Sequence, residues 1–124
     1  MATLLVNTGK AVVTNRINGS GTTPLYVAWG TGAGTTAATD TTLFTESSSP
    51  ASRTTGTATQ QTTSTTNDTF QVVGTLTSGT SQTITNAGTF DAVTTGNLFV
   101  KGDFTGIALN SGDSIQFTVK VQFS

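Results

Sequence analysis

The sequence contains no histidine and no cysteine, and these two absences remove most of the chemistry a small domain can carry. Without imidazole the commonest general base and metal ligand is missing, and without thiol there can be no disulfide, thiolate nucleophile or soft metal site. Charge is scarce as well: five Lys and Arg against six Asp and Glu leave a net charge of −1 over 124 residues. No basic stripe is available to hold phosphates, so nucleic acid is not expected as a partner. Apolar runs fall far short of the roughly 20 residues that cross a bilayer, and no membrane partner is expected. The segment Met1–Lys10 has only a short apolar core and lacks the basic start of a secretory signal, so a soluble protein made in the cytosol is expected. No catalytic, cofactor-binding or metal-ligating residues can be assigned, and the chain is expected not to be an enzyme.

What is abundant is threonine, at 31 residues, with 14 glycines. That composition suits pleated, half-solvated strands joined by turns and suits helices poorly, so an all-β fold is predicted. The length suits one domain over residues 1–124. The clearest element is the last. From Asp113 to Ser124, Ile115, Phe117, Val119, Val121 and Phe123 alternate with polar residues, which gives a strand with one apolar and one polar face. Burying each of those side chains would contribute about 1.5–3 kcal/mol. A central or closing position in the sheet is therefore expected for this strand.

The remaining elements are shorter. Residues 7–18 read as a short helix, or with the preceding residues as an N-terminal arm over 1–20, with Asn7 or Thr8 as cap, apolar positions at Ala11, Val12 and Val13 with Ile17 four beyond Val13, and Gly19 as terminator. Pro24–Trp29 is a β-forming run, followed by a loop from Gly30 to Thr42, an apolar anchor at Leu43–Phe44 and a turn at Ser47–Pro50. Residues 51–66 are a Thr-rich loop or arm, read either as disordered or as an exposed strand ordered by another subunit. Thr69–Thr77 is a strand with Phe70, Val72 and Leu76 on one side and Gly74 a candidate bulge. Gln82–Phe90 returns with Ile84 and Phe90 inward, Asn97–Phe104 follows, and Ile107 and Leu109 form a further inward pair. Short strands with turn signals at this spacing indicate an antiparallel β-sandwich or jelly-roll-like domain.

Few residues invite a chemical reading. The six carboxylates stand mostly beside Gly, Asn or Ser, where capping of turns is their ordinary role. Gly30–Gly34 has the glycines of a phosphate loop, but no amphipathic helix follows to complete one. Two Asn-X-Ser/Thr triplets, at Asn18 and Asn67, read as turns. Tyr26 and Trp29 fall on opposite strand faces by parity, so one belongs to the core and the other is a candidate interface anchor.

Two groups of segments carry a resemblance. Asn7–Gly19, Tyr26–Gly32, Asp40–Glu46 and Arg53 make up the first, and Ile84–Asp91, Gly96–Lys101, Phe104 and Gly112–Phe123 the second. Together they resemble small structural proteins of tailed-bacteriophage virions, a group that includes capsid decoration (cement) proteins and tail-fibre-like proteins. The resemblance covers most of the chain except the Thr-rich middle. It implies a decoration protein on the capsid surface of the virion that binds the major capsid protein lattice as a homotrimer and stabilises the head without cofactors. Tyr26, Trp29, Arg16, Arg53 and Phe44 are the candidate interface residues. Alternatives are a tail-fibre or baseplate adaptor and, from another class, a carbohydrate-binding module that stacks sugars on Trp29 or Tyr26.

Overall fold

Period-two alternation builds strands that must find covers for their apolar faces, and in the computed structural model, which describes residues 3–124, they do so as a sandwich. β1 (Thr3–Leu5) leads into α1 (Asn7–Ile17), followed by β2 (Tyr26–Gly30), β3 (Thr54–Thr55) and β4 (Thr57–Gln61). Then come β5 (Thr69–Thr77), β6 (Gln82–Phe90), β7 (Leu98–Leu109) and β8 (Ser114–Gln122). One sheet has the order β1-β7-β6-β2-β3 and the other β4-β5-β8, with every pairing antiparallel. The fold is all-β with one short helix.

Between the sheets, Val27, Trp29, Ile84 and Leu109 meet Val72 and Leu76. Gly74 is not a bulge, because the β5–β8 register runs unbroken from Thr69↔Gln122 to Thr77↔Ser114. Its role is spacing: a Cβ there would stand 2.7 Å from Cγ2 of Val27, so bare backbone lets the two sheets close. A second core, of Val6, Ala28, Leu43, Phe90 and Leu98, lies apart from the inter-sheet one. Ile84 and Phe90 are both buried, yet they serve different cores, and the β6–β7 register shifts between Ile84 and Asn86 and again between Thr89 and Phe90. Such shifts bend a strand and re-aim its side chains. Beside the first shift Ile107, expected inward, is 41% exposed.

Three other expectations change. β8 is an edge strand of the three-stranded sheet, with β5 at the centre; at the rim, Ile115, Phe117 and Val119 are half-buried and only Val121 is buried. The helix forms where the sequence places it, but Val6 occupies the cap position and no side chain caps it. Instead α1 is held by packing: the Thr8 hydroxyl donates to the Leu98 carbonyl at 2.7 Å, and a Cβ on Gly9 would collide with the Phe99 carbonyl oxygen. The Thr-rich segment finds a partner within the chain, where β4 pairs with β5 over five residues, from Thr57↔Val73 to Gln61↔Thr69. Its turn is built on Asp68, whose carboxylate accepts the backbone N–H groups of Thr63, Ser64 and Thr65.

Candidate interface

The long connection from β2 to β3 is irregular, and its backbone polar groups need partners. Two buried polar side chains on the five-stranded sheet provide them. Asn86, fully buried on β6, accepts the Phe44 N–H at 3.0 Å and donates to the Phe44 carbonyl at 3.1 Å. An amide side chain thus pairs with this backbone unit as a neighbouring strand would. Lys101, fully buried on β7, donates to Asp40 at 2.9 Å and to the Thr42 carbonyl at 2.9 Å, and its Nζ lies 3.2 Å from the centre of the Phe44 ring. The ammonium is therefore compensated by a carboxylate, a carbonyl and an aromatic face. Asp40 is held below the ordinary carboxylate range, first by the Ala37 N–H and then by Lys101.

The five residues singled out in the sequence fall in different settings. Trp29 is buried in the inter-sheet core, edge-on to Phe117 with ring centres 6.4 Å apart, and its indole N–H donates to the Ser49 carbonyl at 2.6 Å. It offers no exposed face on which a sugar ring could stack, so the platform a carbohydrate-binding module would use is absent at this residue. Arg53 forms a two-pronged bridge to Glu46 at 2.9 and 3.0 Å, donates to the carbonyls of Ala92 and Thr95, and lies 3.5 Å over the Phe90 ring. Its side chain is 8% exposed, and its donors are used in fixing the 91–97 loop to the sheet. Phe44 lies half-buried beneath Lys101. Tyr26 is half-buried on β2. Trp29 and Arg53 both line a small cavity of about 190 Å³, together with Glu46 and Leu76.

Arg16 alone of the five stands exposed, with its guanidinium donating to the Gly21 carbonyl at 2.9 Å. It borders an apolar groove of about 350 Å³ between α1 and the end of the three-stranded sheet. Val13, Ile17, Phe70, Phe99 and Phe123 form its walls; Ile17 is 81% and Phe123 52% exposed. This groove was not foreseen from the sequence. In the sequence Ile17 is the last apolar position of the helix and Phe123 the last residue of the apolar face of β8. The signal that could have found it is the scarcity of apolar residues on the helix: a stripe that buries Val12 against β7 leaves Ile17 no second surface to cover.

Among the described residues no group of three or more acidic side chains is placed to hold a metal ion. Lys101 and Arg53 are each paired with a carboxylate. What the surface presents is apolar area and hydrogen-bonding groups, the materials of a contact between proteins.

No curated protein and no solved structure matches this chain. The family model described as podophage GP4 fiber I protein gp80 matches residues 6–121, which takes in α1, β2 to β7, β8 up to Val121 and the groove residues other than Phe123. With nearly its whole length matched, the chain belongs to this family of phage virion structural proteins.

Proposed function

We propose that the chain is a non-catalytic accessory subunit of a phage virion, of fibre type, carried in several copies on the particle and held by contacts with a neighbouring virion protein. The observation that carries the reading is the family match over residues 6–121, whose description is that of a fiber protein. The sandwich is suited to such a role, because its irregular connections are locked by internal polar contacts and its interior is committed to packing. Many copies of a modest contact act together, so each need not bind tightly to hold a particle-wide array.

Capsid decoration is the second reading: homotrimers bridging major capsid protein subunits on the head surface. It is favoured by the form of the described residues, a single two-sheet body without repeated shaft segments. Labelled antibody against the protein, viewed on intact particles by electron microscopy, separates the two. Label on projecting appendages supports the fibre, and label spread over the head supports decoration. Heads lacking the protein should then melt at higher temperature as it is added back, in proportion to occupancy, only if it bridges capsid subunits. Protein that is abundant in infected cells but absent from purified particles would overturn both readings.

A further inference from the structure

The charges of this chain are divided unevenly between inside and outside. Every one of the six carboxylates accepts a hydrogen bond from within the chain: Asp40 from Lys101, Glu46 from Arg53, Asp68 from Thr63, Asp91 from Asn97, Asp103 from Thr36 and Asp113 from Asn110. Two of the five cations, Lys101 and Arg53, are used in bridges to these acids. The other three, Lys10, Arg16 and Lys120, are exposed, and among the described residues no carboxylate lies within bridging distance of them. Asp68, Asp91, Asp103 and Asp113 accept from uncharged donors and keep their charge, so unpaired positive charge is a local feature, and α1 is where it collects.

Two of those three cations sit on α1, the helix that forms one wall of the apolar groove. Arg16 lines the groove itself, and Lys10 stands three residues before Val13 and seven before Ile17, so the spacing puts it on the face those two side chains share. The first turn of the helix carries no acid to offset them. We infer that this groove is the docking site for a segment of another virion protein that carries a large apolar side chain flanked by Asp or Glu. The inference rests on the proposed role as a virion accessory subunit. A volume of about 350 Å³ is at the small end of binding pockets and suits one or two side chains. A second copy of this chain suits it poorly. A two-fold contact through the groove would set Arg16 and Lys10 against their own counterparts.

The test uses virions that lack the protein, purified protein, and two short synthetic peptides, one with Phe between acidic residues and one with Lys in place of each acid. Ile17→Asp and Arg16→Glu alter exposed side chains and should both fold, Arg16→Glu with a small drop in melting temperature from the lost bond to the Gly21 carbonyl. Both should rebind virions more weakly by about tenfold or more, and binding of the natural protein should weaken as salt rises through the range where the screening length falls below about 10 Å. Lys120→Glu, on β8, should rebind as the natural protein does. In NMR titrations the acidic peptide should shift the amides of α1, Phe70 and Phe99, and the Lys peptide should not. Variants that rebind normally, equal response to both peptides, or an equal loss in Lys120→Glu would overturn the inference. So would a concentration-dependent dimer that Ile17→Asp abolishes, because the occupant would then be a second copy. If the acidic peptide binds selectively while the protein rebinds no part of the virion, the groove chemistry stands and the virion role fails.

Discussion

Lys101 and Asp40 form a pair whose two members are unequally sealed, and that inequality predicts which loss matters more. The lysine side chain is 1% exposed and the aspartate 21%. Removing the aspartate leaves an ammonium in the interior that water cannot reach, so Asp40→Ala should cost about 3–5 kcal/mol. Lys101→Met leaves a carboxylate that can hydrate and keeps most of the packing, so it should cost less; urea unfolding of the two variants checks the order. Asn86 gives a sharper test of donor against acceptor. Asn86→Leu would leave both the N–H and the carbonyl of Phe44 unpaired and should cost about 1–3 kcal/mol for each buried group. Asn86→Asp keeps an acceptor for the N–H but faces the Phe44 carbonyl with negative charge, and should be no better than Leu at neutral pH. Neither residue could be recognised in the sequence as a fastener of the long loop. A lysine after Leu-Phe-Val and an asparagine after Ile-Thr look like the polar half of an alternating strand, and what encloses them is the long loop, whose Asp40, Thr42 and Phe44 bond to them.

Acid should loosen the molecule at the same scale. Asp40 and Asp68 are both more acidic than the ordinary value of 3.8, Asp68 chiefly through the N–H groups of Thr63 and Thr65. The folded state binds its protons less readily than the unfolded chain, so these groups contribute stability in full above the ordinary carboxylate range. That contribution is lost as pH falls through their lowered folded values. The urea midpoint should therefore fall on moving from pH 6 toward pH 3, and it should fall less in Asp68→Asn. An equal fall in both proteins would mean that the Asp68 turn plays no part in the acid response.

Among the elements, β8 shows what alternation can and cannot reveal. Five apolar residues at period two identify a strand and its inward face, and the structure keeps both for Ile115, Phe117, Val119 and Val121. Whether the strand lies at the centre or the rim depends on partners that periodicity does not name. Because Phe117 is half-buried against Trp29 and Phe104, Phe117→Ala should cost about 1–3 kcal/mol, below the roughly 3–5 of a fully enclosed ring. The helix illustrates the reverse. Its boundaries were legible from Gly19 and the spacing of Val12, Val13 and Ile17, but the reason it stays attached is the bare Cα of Gly9 against the Phe99 carbonyl. Gly9→Ala improves helix propensity by up to about 1 kcal/mol yet forces α1 away from β7, an overpacking cost of about 1–3 kcal/mol. The net effect should be destabilising, with α1 amides exchanging faster than in the natural protein.

At the scale of the whole molecule the two sheets are unequal, and stability should be distributed accordingly. The five-stranded sheet is covered on one side by the inter-sheet core, and the second core, around Ala28, Leu43, Phe90 and Leu98, adds further buried area. The three-stranded sheet has β5 as its only strand paired on both sides. β4, polar and largely exposed, forms one rim, so its Thr and Gln side chains add little apolar area to offset the cost of ordering them. Composition made this segment look like an arm awaiting a neighbour. Its order comes instead from backbone pairing with β5 and from the Asp68 turn, neither of which leaves a trace in hydrophobic pattern. Local opening follows from such differences in burial. Hydrogen exchange on the isolated protein should therefore be slowest in β5, β6 and the Leu98–Lys101 part of β7, intermediate in the inward-bonded amides of β4, and fast in residues 91–97. Addition of the virion should slow α1 if its groove is the contact. Exchange in β4 as fast as in an unstructured peptide, before any partner is added, would restore the arm and remove the fourth strand from the free protein.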